Sequence, residues 1–158
     1  MNLRRFYNHA RVCAMVLPLL ALAAGTAAAQ YRVTNLVSNQ PGIALHQDPD
    51  LVNAWGVAFS PTGPFWVSDE GTGLSTLYNA RGIKQSLVVT IPGANGGTGS
   101  PTGMVFNSTT DFVVSQNGVS GVATFLFDTL DGTISGWSST VNPTTAVIAA
   151  TRPGAAYT

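Results

Sequence analysis

A block of sequence recurs at a fixed distance. Gly56-Val57-Ala58-Phe59-Ser60 is matched by Gly103-Met104-Val105-Phe106-Asn107, and Phe65-Trp66-Val67-Ser68 by Phe112-Val113-Val114-Ser115. Both pairs are offset by 47 positions, so motif and spacing repeat together. A period of about 40–50 residues built from short strands is the mark of a propeller blade, a unit that cannot bury both of its faces alone.

The segments between the repeats fit that unit. Trp55–Phe59, Phe65–Ser68, Ser75–Asn79 and Gln85–Ile91 read as four strands of a first blade. Turn residues separate them: Ser60-Pro-Thr-Gly63, Asp69-Glu-Gly-Thr-Gly73 and Ala80-Arg-Gly82. Pro presets φ, and Gly admits the positive φ that tight turns need. A glycine-rich connector, Pro92–Ser100, leads to a second blade. Its expected strands are Gly103–Phe106, Phe112–Val114, Ala123–Phe127 and Ala146–Ala149. An insertion around Leu130–Val141 contains Thr133–Trp137, which adds part of a strand. Upstream, Tyr31–Ser38 alternates imperfectly and reads as one more strand. The expectation is an all-β, partial β-propeller: blade one at about 54–91, blade two at about 102–150, and an N-terminal closing strand. Two blades do not close a ring, which takes about four to eight. The chain therefore reads as part of a longer protein, with further C-terminal blades expected in the whole.

Residues 1–29 read as an export signal. Arg4, Arg5 and Arg11 precede a 13-residue apolar run, Val12–Ala24, and Ala27-Ala28-Ala29 places small residues before a cut at Gln30. The run is shorter than the roughly 20 residues that a bilayer span requires. The expected location is secreted or periplasmic, with a mature domain at 30–158 and no membrane span after cleavage. The lone cysteine, Cys13, falls in the leader, so burial and backbone hydrogen bonds must hold the mature chain. After cleavage four basic side chains face seven acidic ones, a net charge of about −3. Without a basic patch there is no electrostatic footprint for nucleic acid.

The run Leu51-Val-Asn-Ala-Trp-Gly-Val-Ala-Phe-Ser-Pro-Thr-Gly-Pro-Phe-Trp-Val-Ser-Asp69 resembles a group of uncharacterised bacterial secreted proteins, six-bladed propellers related to the NHL-repeat type. Tyr31–Asn39 and Gly99–Asn107 are similar to that group too. The resemblance implies a fold and export. It implies no activity, because it brings no catalytic residues with it.

Propellers bind ligands where inter-blade loops meet the loops between strands two and three. In this chain the polar and aromatic side chains expected there are Asn53, Trp55, Asp69, Glu70, Ser115 and Gln116. Carboxylates and amides so placed can hold a divalent cation such as calcium, since hard cations take oxygen ligands. Capping of the turn after its strand is the plainer reading of Asp69, and Gln116-Asn117 at the matching place of the second blade weakens a metal ring further. Asp48-Pro-Asp50 with Asn53 has a calcium-like look but lacks the spacing of an EF-hand and its closing Glu. His46 is the one histidine after the leader; no Gly-x-Ser-x-Gly element accompanies it. The glycine run has no following Lys or helix to cradle phosphate. Trp66 is expected in the core, and Trp55 either in the core or stacked on a sugar. Two functions follow as expectations. One is a non-catalytic binding or scaffold module for an unknown ligand, carbohydrate or protein. The other is a hydrolase or lyase using a central divalent metal.

Overall fold

The computed structural model describes residues 31–158. The leader expected at 1–29, the cut expected before Gln30 and Cys13 lie outside the described residues. The architecture is all-β and propeller-like in part: two four-stranded antiparallel sheets and two small two-stranded ones, with no closed barrel among the described residues. No helix there is long and apolar enough to cross a membrane.

Two short strands come first, β1 (Val37–Ser38) and β2 (His46–Gln47). The expected strand at Tyr31–Ser38 is reduced to these last two residues, and β1 pairs in parallel with β2. The physical reason lies in the backbone. The Asn39–Gly42 turn brings Leu45–Asp48 back alongside Asn35–Ser38, and Leu45, His46 and Asp48 N–H groups donate to Asn35, Leu36 and Ser38 carbonyls. Within the described residues the segment finds its ladder locally instead of joining a four-stranded sheet.

The first sheet holds β3 (Ala54–Phe59), β4 (Phe65–Asp69), β5 (Leu74–Tyr78) and β6 (Lys84–Thr90), in that order. Period-two alternation sends Trp66, Leu77 and Val89 to one face, where they are buried. Tight turns close the hairpins at Gly63, Gly73 and Gly82; the last two have φ of 70° and 77°, which only glycine adopts without cost.

The second sheet is ordered β12–β11–β10–β7, from β7 (Pro101–Phe106), β10 (Phe125–Thr129), β11 (Thr133–Trp137) and β12 (Val147–Thr151). Here the sequence reading needs correction. Phe112–Val114 is not the second strand of this sheet. It leads into a separate hairpin, β8 (Val113–Gln116) with β9 (Val119–Val122), turned at Asn117-Gly118 with φ of 52° and 81°. Thr133–Trp137 is a full central strand. The true counterpart of Phe65–Asp69 is Phe125–Thr129. In the first sheet Phe59 pairs Phe65 and Phe65 pairs Tyr78; in the second Phe106 pairs Phe125 and Phe125 pairs Trp137. The offset is 47 for the first strand and 60 for the second, so the hairpin is an insertion that the matching Phe-x-Val-Ser motif concealed.

The sheets face each other through Trp66, Leu77, Val89, Ile91, Phe125, Phe127, Trp137 and Ala146. Trp66 lies stacked on Phe125 at 4.2 Å between ring centroids and leans on Trp137 at 4.8 Å. Burying each large apolar side chain is worth about 1.5–3 kcal/mol. The edges are stitched as well, Thr90 N–H to Thr144 O at 2.9 Å and Ala146 N–H to Thr90 O at 3.0 Å. A smaller core of Val114, Ala123 and Val147 holds the inserted hairpin against β11 and β12, where Gly136 leaves room for it.

Candidate functional site

The strongest polar cluster forms where the Asp48–Asn53 loop lies against β5 and β6. Asp48 is 3% exposed. Its Oδ1 accepts the Asp50 N–H at 3.0 Å, an Asx turn in which Pro49 fits at the fixed-φ position. The same oxygen accepts from Lys84 Nζ at 2.8 Å, and Lys84 reaches Asp50 Oδ2 at 2.6 Å. Tyr78 donates its hydroxyl to Asp48 Oδ2. The calcium-like look of Asp48-Pro-Asp50 thus has a different occupant: an ammonium bridges the two carboxylates. Lys84 is the one lysine of the chain.

Electrostatics follow the geometry. Burial pushes the Asp48 carboxyl up, but the hydrogen bonds from Lys84, Tyr78 and the Asp50 N–H, together with the Lys84 charge, outweigh it and leave the group below the usual carboxylate range. Burial lowers Lys84, and its two carboxylate partners raise it by more. The Tyr78 phenol is pushed up by burial and by its bond to Asp48.

Asp69, at the end of β4, is fully buried. Burial raises its pKa to about 7, the Asp48 charge adds to the rise, and the hydrogen bond from Thr76 opposes it. Thr76 Oγ1 donates to Asp69 Oδ2 at 2.7 Å, while Oδ1 has no partner. Ser68, Ser75 and Ser135 also carry buried hydroxyls without partners; Ser68 and Ser75 are opposite one another in the ladder. Buried polar atoms of this kind commonly hold ordered water.

Two of the expected site residues, Asn53 and Glu70, are brought together. Asn53 takes a left-handed conformation, φ 51°, and donates Nδ2–H to Glu70 Oε2 at 2.8 Å. The Glu70 N–H donates to Asn53 O at 3.2 Å, so loop and turn are tied twice. Trp55 lies two residues on and is 47% exposed. Asp69 sits next to Glu70 but is buried. Ser115 and Gln116 are elsewhere. They belong to the hairpin inserted after Phe106, which leaves the sheet at the end opposite Asp69 and its ladder counterpart Thr129. Ser115 Oγ is engaged with Ser120 Oγ at 2.8 Å, and Gln116 Oε1 accepts from Asn142 at 3.0 Å. His46 is exposed on β2.

Sequence reasoning did not find the bridge from Lys84 to Asp48 or the tie from Asp131 to the connector. The signals were a solitary lysine beside a turn and an acid following the Thr129 corner. Asp131 Oδ2 accepts the Ala94 N–H at 2.7 Å, and burial of Asp131 is outweighed by hydrogen bonds from Thr129, Ala94 and Thr133, which lower its pKa. Among the described residues no three His, Cys, Asp or Glu side chains converge to hold a metal ion.

Two uncharacterised proteins of Acanthamoeba polyphaga mimivirus are similar to this chain. One is 29% identical over 113 residues, covering 72% of this chain and 28% of the relative. The other is 31% identical over 117 residues, covering 74% of this chain and 31% of the relative. The chain thus spans less than a third of the length of these relatives. No family model matches, and no solved structure does. These findings correct the resemblance drawn above. The similar proteins are viral, not bacterial, and nothing found ties the chain to NHL-type propellers.

Proposed function

We propose that the chain is a non-catalytic binding module of propeller type, exported by its leader, whose rim at Asn53, Trp55 and Glu70 takes a carbohydrate. The observation that carries this reading is the Asn53–Glu70 pair, fixed at 2.8 Å, with the half-exposed Trp55 two residues further along the chain. A sugar ring offers an apolar face for an aromatic to cover and a hydroxyl edge for a carboxylate and an amide to bond. The pair is held in place before any ligand arrives, which lowers the ordering cost of binding. Rigid sheets beneath the loops serve the same end.

The test is calorimetric titration of the full chain with a panel of uncharged oligosaccharides. Binding to at least one is expected. Trp55→Ala should abolish it. Glu70→Gln should weaken it about tenfold, the effect of losing a charge-assisted hydrogen bond. Absence of heat across the panel, or heat that survives both substitutions, would refute the carbohydrate reading.

A further inference from the structure

We propose that the Asp48–Asn53 segment is a pH-sensitive strap, closed over a protonated Asp69 and released when that carboxyl ionises. Val67, Asp69, Thr76 and Tyr78 share the outward face of the first sheet, and the strap runs across it. Its carbonyls take bonds from the turn that follows β4. Thr72 Oγ1 donates to Asp50 O at 2.9 Å, Gly71 N–H to Val52 O at 3.0 Å and Glu70 N–H to Asn53 O at 3.2 Å. The near end is tied to the sheet through Asp48, which accepts from the Tyr78 hydroxyl and the Lys84 ammonium. The far end bends at Asn53, with φ of 51°, as it enters β3.

The charges under the strap do not balance. Asp69 is fully buried, with Thr76 on Oδ2 and nothing on Oδ1. The titratable groups around it are Asp48 and Asp50 on the strap, Tyr78 on β5, Lys84 on β6 and Glu70 in its own turn. β3 brings no charge, since Ala54 lies opposite Asp69. The one cation among these groups, Lys84, is already held between Asp48 and Asp50 at 2.8 and 2.6 Å. A neutral carboxyl fits this site. A carboxylate would be buried with one oxygen bare and with the charge of Asp48 against it. Lifting the strap admits water to that oxygen and parts the two acids. Closure is therefore coupled to uptake of a proton. Burial and then the Asp48 charge raise the closed-state pKa from 3.8 to about 7, against the Thr76 hydrogen bond. In the open state the carboxyl is solvated and returns toward its ordinary value. A group raised in the closed form favours closure most below about pH 4, loses that effect about tenfold per pH unit above it, and levels off near pH 7. Release also takes Asn53 from Glu70, so on the carbohydrate reading it would switch binding off; the strap itself does not depend on that reading.

The test is amide hydrogen exchange of the full chain without ligand, expressed as protection factors from about pH 5 to 8. The Glu70 and Gly71 N–H groups report on the strap, because their acceptors lie in it. Their protection should fall about tenfold per pH unit between about 5 and 6.5 and level off near 7. At each pH it should stay about tenfold or more below that of amides at the centre of β4 and β5, the mark of a local opening. Equal protection in both sets would mean that Asp69 meets water only when the sheet unfolds, and would overturn the proposal. Asp69→Asn, which cannot ionise, should make the Glu70 and Gly71 protection independent of pH. Thr76→Val removes the hydrogen bond that favours the carboxylate and should move the levelling-off up by about one pH unit. His46→Gln removes the imidazole on neighbouring β2 and should change neither slope nor plateau. A slope that survives Asp69→Asn or vanishes in His46→Gln, or a plateau that Thr76→Val leaves in place, would equally overturn it.

Discussion

Asp69 shows how one side chain can set a pH dependence. It is buried with half of its carboxylate unpartnered, and its folded pKa is raised to about 7 from 3.8. The native state then holds a proton that the unfolded chain has already lost at intermediate pH. The stability this contributes is complete below about pH 4 and is lost as pH rises through about 7. Denaturant titrations should show wild-type stability falling by roughly a few kcal/mol between pH 4 and 7. Asp69→Asn, which cannot ionise, should flatten that slope; an unchanged slope would remove Asp69 as its cause. Asp48 and Asp131 act in the opposite sense, since their pKa values are lowered, and their contributions disappear only below about pH 4. Lys84→Met tests the bridge. It leaves Asp48 buried without its cation, and a loss of about 2 kcal/mol is expected, less than for a fully buried pair because Lys84 is partly exposed. Asp48→Asn in the same chain should restore part of that loss, read as a double-mutant cycle.

At the level of strands, the sequence was legible where local chemistry and fold agreed. All four strands of the first sheet follow from alternation and from Gly-bearing turns, and the all-β class follows with them. What the sequence hid is instructive. Phe112-Val-Val-Ser looks like Phe65-Trp-Val-Ser, and both are strand-forming, but only the ladder shows that Phe125 is the residue opposite Phe106. The placement of Ser115 and Gln116 at the rim rested on that false match. A hydrophobic four-residue motif specifies a strand and not its partner. The deeper repeat lies in the backbone. The ladder slips between Ala54 and Val57 in the first sheet and between Pro101 and Met104, opposite Thr129 and Phe127, in the second. Both irregularities follow the same strand start, 47 residues apart. Gly56 sits inside the first, and a Cβ there would lie 2.5 Å from Thr102 O and 3.1 Å from Met104 N. Those neighbours are backbone and cannot rotate away. Gly56→Ala should therefore push β3 from β7 and cost about 1–3 kcal/mol, measured as a lowered midpoint of denaturation. An unchanged midpoint would mean that the two strands can separate freely.

For the molecule as a whole, residues 34–158 gather into one unit because the two sheets share a single aromatic joint. Trp66 is its centre. It belongs to the first sheet, is 3% exposed, and touches three aromatic rings of the second. Neither sheet can bury its inward face without the other. That dependence predicts one cooperative unfolding transition for the intact chain. Trp66→Ala should remove about 3–5 kcal/mol by leaving a cavity between rigid walls, and the loss should fall on the coupling between sheets. The resonances of Phe125 and Trp137 should then broaden or shift along with those of Leu77 and Val89, and the single transition should split or lose steepness. The substitution Leu77→Ala supplies the comparison, since it thins the same face without removing the stacked ring. A smaller loss and a transition that stays sharp are expected for it. Equal effects from both would show that the joint is held by general apolar burial and not by the indole.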